Sequence, residues 1–111
     1  LARIPVREGG KVLLVGVADM VYASVEGGVI SVATSSERKT TNYRTLEELE
    51  ADLDPQNFCR AHRSYLVNIQ HVAEIIPWFS GTYHLKMKDD KGTEVPLSRT
   101  QAKHLRTILK W

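Results

Sequence analysis

Two Glu-Gly-Gly triplets, Glu8-Gly9-Gly10 and Glu26-Gly27-Gly28, cut the start of the chain into short β-branched runs. That punctuation leaves little room for anything but strands joined by tight turns. The runs are Ile4 to Arg7, Lys11 to Val17, Val21 to Val25 and Val29 to Thr34. Ser35-Ser36-Glu37 supplies a further turn before Arg38 to Arg44, whose polar alternation predicts a half-exposed strand. Neither triplet is followed by a helix start with Lys-Ser or Lys-Thr, so both read as hairpin turns and not as phosphate-binding loops.

The pattern changes at Thr45-Leu46-Glu47-Glu48, which fits a capping box: the Thr45 hydroxyl and the Glu48 carboxylate can satisfy amides that a first helical turn leaves unpaired. A helix is expected there, with Leu46, Leu49 and Leu53 as its apolar stripe, Pro55 as its stop, and its acidic face as plain solvated surface. Strand-like sequence returns from Phe58. Val72 to Ile76, Tyr83 to Lys88 and Glu94 to Leu97 are separated by turn-rich segments and predict an antiparallel meander. In its middle run Tyr83, Leu85 and Met87 share one face, expected in the core, and His84, Lys86 and Lys88 the other. Ser98-Arg99-Thr100-Gln101 then opens a second capping box, followed by Ala102, Leu105, Ile108 and Leu109 at helical spacing. The fold class expected is mainly β with one or two short helices.

The chain has 111 residues, of which 42% are hydrophobic, enough for one soluble domain with a single core. Its longest apolar stretches, such as Val12 to Val15, fall far short of the roughly 20 residues that a bilayer-spanning helix needs, and no signal-peptide pattern opens it. A cytoplasmic protein without membrane contact is expected. Cys59 is the sole cysteine, which rules out an internal disulfide and predicts a small core hydrophobe. The first residue is Leu1 and not methionine, as in a piece of a longer protein.

Chemistry needs a nucleophile with a base, or a metal. His62, His71, His84 and His104 are scattered, and Cys59 with His62 supplies only two ligands. No catalytic residues, metal or cofactor are expected. Net charge is only +2, so its distribution matters more than its sum. Residues 47–54 hold five acids and no base, whereas 95–111 hold Arg99, Lys103, Arg106 and Lys110 and no acid. At 100° per residue those four cations fall within roughly 60° of one another on the last helix. Arg99 is the sharpest of them, because a cation in a first helical turn is opposed by the macrodipole by about 0.3 to 1 kcal/mol. It either pairs with an acid such as Glu94, extends into water, or serves an anion or a guanine edge. In Phe58 to Asn68, His62 and Asn68 read as structural, hydrogen-bonded to backbone on an edge strand, while Arg63 alternates away from His62 as a candidate exposed contact.

Phe58-x-Arg60-x-His62-Arg63-Ser64-Tyr65-Leu66-Val67-Asn68, then Ile75-x-Pro77-Trp78, then Val95-Pro96-Leu97-Ser98-Arg99 before a terminal helix together resemble the LytTR domain, over nearly the whole of residues 1–111. The resemblance implies an elongated fold of stacked antiparallel sheets that reads double-stranded DNA through loops entering successive major grooves. It further implies two domains side by side on direct-repeat sites and bent DNA. Carried over by motif position, Arg63 and Arg99 become base contacts, and Ser64, Lys103 and Arg106 backbone contacts. The hairpin loop containing Gly27, Gly28 and Val29 becomes a third element near DNA. Domains of this kind follow a receiver or sensory domain in a transcription regulator, which the chain would complete at its C-terminal end. The competing reading is a β-rich protein-interaction module anchored by Trp78, Phe79 and Tyr83 around the Pro77 turn. The Trp78 and Phe79 pair is expected to serve packing or a partner-domain contact.

Overall fold

The computed structural model describes residues 2–111. Strands β1 (Arg3–Glu8) and β2 (Lys11–Gly16) form a separate hairpin. A central antiparallel sheet in the order β5-β4-β3-β7-β6 is built from β3 (Tyr22–Glu26), β4 (Val29–Ala33), β5 (Arg38–Thr40), β6 (Phe58–His62) and β7 (Tyr65–Asn68). A third sheet is the expected meander, β8 (Val72–Pro77), β9 (Tyr83–Met87) and β10 (Glu94–Leu97), with β9 in the middle. Helix α1 (Leu46–Ala51) connects β5 to β6, and α2 (Arg99–Leu109) ends the fold. The body measures 44 × 27 × 26 Å, as elongated as expected.

The central sheet is covered on both faces, so its strands are apolar nearly throughout although they are antiparallel. Successive side chains point to opposite faces. Ala23, Ile30, Val32, Phe58 and Leu66 therefore meet Ile4 and Val6 of the first hairpin and Leu46 and Leu49 of α1. Tyr22, Ala33, Cys59 and Val67 meet Leu85, Met87, Val95 and Leu97 of the meander and Ala102 and Leu105 of α2. The single core anticipated from length is thus two cores, one on each side of the sheet. Cys59 is buried as expected, and that burial pushes its thiol up to about 12.

Several boundaries differ from the sequence reading. The run Arg38 to Arg44 pairs only as far as Thr40, because the buried Thr41 hydroxyl donates to Ile30 O (3.0 Å) and accepts from Tyr43 N–H (3.2 Å), which turns the chain out of the ladder. Helix α1 stops at Ala51, well before Pro55, and Leu53 is buried from the turn beyond it. Asp54 organises that turn: its side chain accepts from Gln56 N–H and its carbonyl from the amides of Asn57 and Phe58. The Thr45 hydroxyl caps Glu48 N–H at 3.0 Å as expected, but the Glu48 carboxylate accepts from Arg44 N–H and not from Thr45. In α2, Ser98 caps Gln101 N–H (3.2 Å), whereas Ile108 and Leu109 are each 38% exposed and lie outside the core. Lys110 is the left-handed C-cap, φ 58°, so the helical basic stripe ends at Arg106.

Candidate nucleic-acid interface

Three connections come together at one end of the molecule, and two backbone hydrogen bonds show how. Strand β6 runs into the two-residue turn Arg63-Ser64 and returns as β7, with His62 paired to Tyr65. Just before the turn the pairing slips at Ala61, a β-bulge that releases the Ala61 carbonyl to accept from Ser98 N–H at 3.0 Å. That bond sets the start of α2, and hence Arg99, directly beside the Arg63 turn. On the other side Ser64 O accepts from Val25 N–H at 3.1 Å, extending the β3–β7 ladder towards the Gly27-Gly28 turn. That hairpin has φ of 58° and 79° at its two central residues, the left-handed pair that a two-residue turn requires and that glycine adopts without strain. Val29, the residue after it, is 45% exposed.

The cations at this end are not neutralised. Arg63, Arg99 and Lys103 are exposed, and none of their side chains has a hydrogen bond or ion pair among the described residues. The expected alternative partner of Arg99, Glu94, instead bonds His84 Nδ1 at 3.2 Å. Arg106, the other cation of the stripe, is differently placed: its guanidinium donates to the Tyr83 hydroxyl (2.5 Å) and lies 5.0 Å from the Trp111 ring centroid. A phosphate contact from Arg106 would have to compete with both.

The two residues read as structural do hold backbone. Buried Asn68 donates from Nδ2 to Met20 O (2.9 Å) and accepts Gln70 N–H on Oδ1 (3.0 Å). Half-buried His62 accepts Ser64 N–H on Nδ1 (3.2 Å). The acidic face of α1, in contrast, is not plain solvated surface. Glu47 and Glu50 lie one turn apart and reach the Arg60 guanidinium at 3.3 and 3.4 Å. The Glu47 carboxyl is held below its ordinary value by its own backbone amide first and then by Arg60. The same guanidinium donates from Nε to His62 O (3.2 Å) and from Nη2 to Arg63 O (3.0 Å). Sequence reasoning placed Arg60 in the motif and gave it no task; the only signal was the i, i+3 spacing of Glu47 and Glu50.

Trp78 and Phe79 also border this end. The Trp78 ring stacks on His84 (centroids 4.3 Å apart) and meets Phe79 edge-on at 5.3 Å. The turn continues through Ser80 and Gly81, and a Cβ added at Gly81 would lie 3.3 Å from Arg99 Cδ. Phe79 is 73% exposed and Trp78 53%, so the pair packs on itself and on His84 and contributes nothing to either core. A shallow groove lined by His62, Trp78, Pro96, Leu97 and Arg99 runs beneath it.

Comparison with known proteins identifies the family and the fold. The family model of the LytTr DNA-binding domain matches residues 10–110. The sensory transduction protein LytT of Bacillus cereus is 42% identical over 107 residues, which cover 96% of this chain and 42% of the relative. LytT of Bacillus subtilis is 41% identical over 101 residues, 91% of this chain and 41% of that protein. The transcriptional regulatory protein YpdB of Escherichia coli K12 is 33% identical over 99 residues, 89% of this chain and 40% of that protein. The chain thus spans about two-fifths of the length of these relatives. A solved LytTr DNA-binding domain from Bacillus cereus superposes with a TM-score of 0.89 at 27% identity, covering 100% of this chain and 99% of that one. The chain belongs to the LytTr DNA-binding domain family.

Proposed function

We propose that the chain is the sequence-specific double-stranded-DNA-reading domain of a transcription regulator, working in the cytoplasm as the C-terminal part of a longer protein. The observation that carries the mode of reading is the Ser98 N–H to Ala61 O hydrogen bond, which sets two unpaired arginines on adjacent turns at one end of the body. Arg63 and Arg99 are the base readers in this proposal, since a planar guanidinium can donate two bonds to O6 and N7 of guanine in the major groove. Ser64 and Lys103 take neighbouring phosphates, and the Gly27-Gly28-Val29 hairpin offers backbone and an apolar side chain alongside. The reaction partner is DNA alone, without metal, cofactor or catalysis in this domain.

The relatives extend well beyond the matched region, which supports a further part of the protein; we place it on the N-terminal side and assign it to a receiver or sensory domain. Two domains would sit side by side on direct-repeat sites. The test is a gel-shift series on duplexes selected from random sequence, carried over several salt concentrations, with Arg63→Ala as the first variant. Arg63→Ala should cost about 1–3 kcal/mol on the selected site and much less on a scrambled one. Equal losses on both would reassign Arg63 to phosphate, and no shift at low salt would favour the interaction-module reading, in which exposed Trp78 and Phe79 are the anchor.

A further inference from the structure

The turn that carries Arg63 has an unusual construction for a two-residue hairpin. The connections that match the twist of paired strands place one or both central residues at positive φ. Among the described residues only Ser80 and Lys110 are non-glycine residues with positive φ, so Arg63 and Ser64 both have negative φ and the turn is of neither favoured type. The bulge at Ala61 breaks the ladder immediately before it. A backbone so placed needs another source of order, and side chains supply it. Arg60 donates to both carbonyls that open the turn, His62 O at 3.2 Å and Arg63 O at 3.0 Å, while His62 Nδ1 takes the Ser64 amide at 3.2 Å. Arg60 is itself paired with Glu47 through the same Nη2 (3.3 Å) and with Glu50 through Nη1 (3.4 Å), and its side chain is 19% exposed.

We infer that Arg60 is a positioning residue for DNA reading: its guanidinium, anchored on the acids of α1, fixes the His62 and Arg63 carbonyls and so aims Arg63 at a base. This rests on the proposed role of Arg63 and extends it to a residue that itself touches no DNA. The planar fork is what the geometry uses. Two donors go to carbonyls and two further contacts go to carboxylates in different directions, which the single ammonium of lysine cannot do at once. Arg60→Lys therefore keeps the charge facing Glu47 and Glu50 while giving up the grip on the turn.

The experiment is a double-mutant cycle on the 111-residue chain, with Arg60→Lys, Arg63→Ala and the pair, each measured on a selected and a scrambled duplex, with thermal melting of every variant. Arg60→Lys should lose about ten-fold in the ratio of selected to scrambled affinity, most of what one bidentate base contact supplies, with scrambled affinity unchanged. Added to Arg63→Ala it should cost no further discrimination. Glu50→Gln, which removes one of the two carboxylates that hold Arg60, should show a smaller loss in the same direction, and it serves as the second variant if Arg60→Lys melts early. A folded Arg60→Lys with full discrimination overturns the inference and leaves the role of Arg63 intact. Additive losses in the pair overturn it as well, because Arg60 would then act elsewhere. If Arg63→Ala alone keeps full discrimination, the base-reading assignment and the inference both fall.

Discussion

At the scale of single residues, Arg99 and Arg63 look alike in being exposed and unpaired, yet they are held differently. Arg63 sits on a turn braced by Arg60 and His62. Arg99 is the first residue of an α-helix whose N-cap, Ser98, is tied both to Gln101 N–H and to the Ala61 carbonyl. Its aliphatic stem lies against Gly81, where any larger residue would press on Cδ. The guanidinium is thus directed from a fixed helix start, and what it can add over another cation is shape. Arg99→Lys preserves charge and loses the two-pronged donor, so discrimination between selected and altered sites should fall while non-specific affinity is mostly retained. Competition gel shifts with single-base variants of the selected duplex measure this directly. Unchanged discrimination would reduce Arg99 to general electrostatic attraction.

At the scale of elements, the strand period of two was legible where one face is wet: Tyr83, Leu85 and Met87 alternate with His84 and Lys86, and β9 places them so. Both helix starts were legible through Thr45 and Ser98, whose hydroxyls cap as the capping pattern requires. What one-dimensional patterns do not carry is where an element stops for tertiary reasons, as at Thr41, or which distant side chains meet, as for Arg60 with Glu47 and Glu50. Trp78 and Phe79 show the same limit. As large aromatics they suggested packing, but apolarity alone does not fix burial. The structure leaves the pair outside both cores, which sets aside the packing half of the expectation and not the partner-domain contact. Phe79→Ala removes a ring that is 73% exposed and should leave the melting temperature nearly unchanged, whereas Leu85→Ala, at a fully buried position in the core beneath the meander, should cost about 2–5 kcal/mol. Denaturant unfolding of the two variants separates these outcomes, and a large loss from Phe79→Ala would mean that the aromatic turn packs more closely than its exposure indicates.

At the scale of the whole molecule the question is how a chain of net charge +2 can bind a polyanion. Some of its cations are spent internally or lie at the other end of the meander. Arg60 and Lys39 are paired with acids, Arg106 lies on aromatic rings, and Lys88 and Lys91 sit beyond the far ends of β9 and β10. In that pairing Leu97 faces Tyr83 at the α2 end, and Glu94 faces Lys86 towards the opposite end. Arg63, Arg99 and Lys103 are three cations without an ion pair among the described residues at one end, so on the proposed reading the field that meets DNA is local, not global. Counterion release offers a way to count it: each phosphate neutralised adds about 0.9 to the slope of log affinity against log salt on duplex DNA. Lys103 lies one helical turn beyond Arg99 on α2 and presents a point charge suited to phosphate. Lys103→Ala should weaken selected and scrambled duplexes equally and lower the slope by about 0.9. Lys91→Ala removes the same formal charge from the opposite end of the meander and should leave the slope and both affinities where they were. If the two variants lower the slope alike, binding responds to total charge, and the assignment of DNA to the Arg63 and Arg99 end loses its electrostatic support.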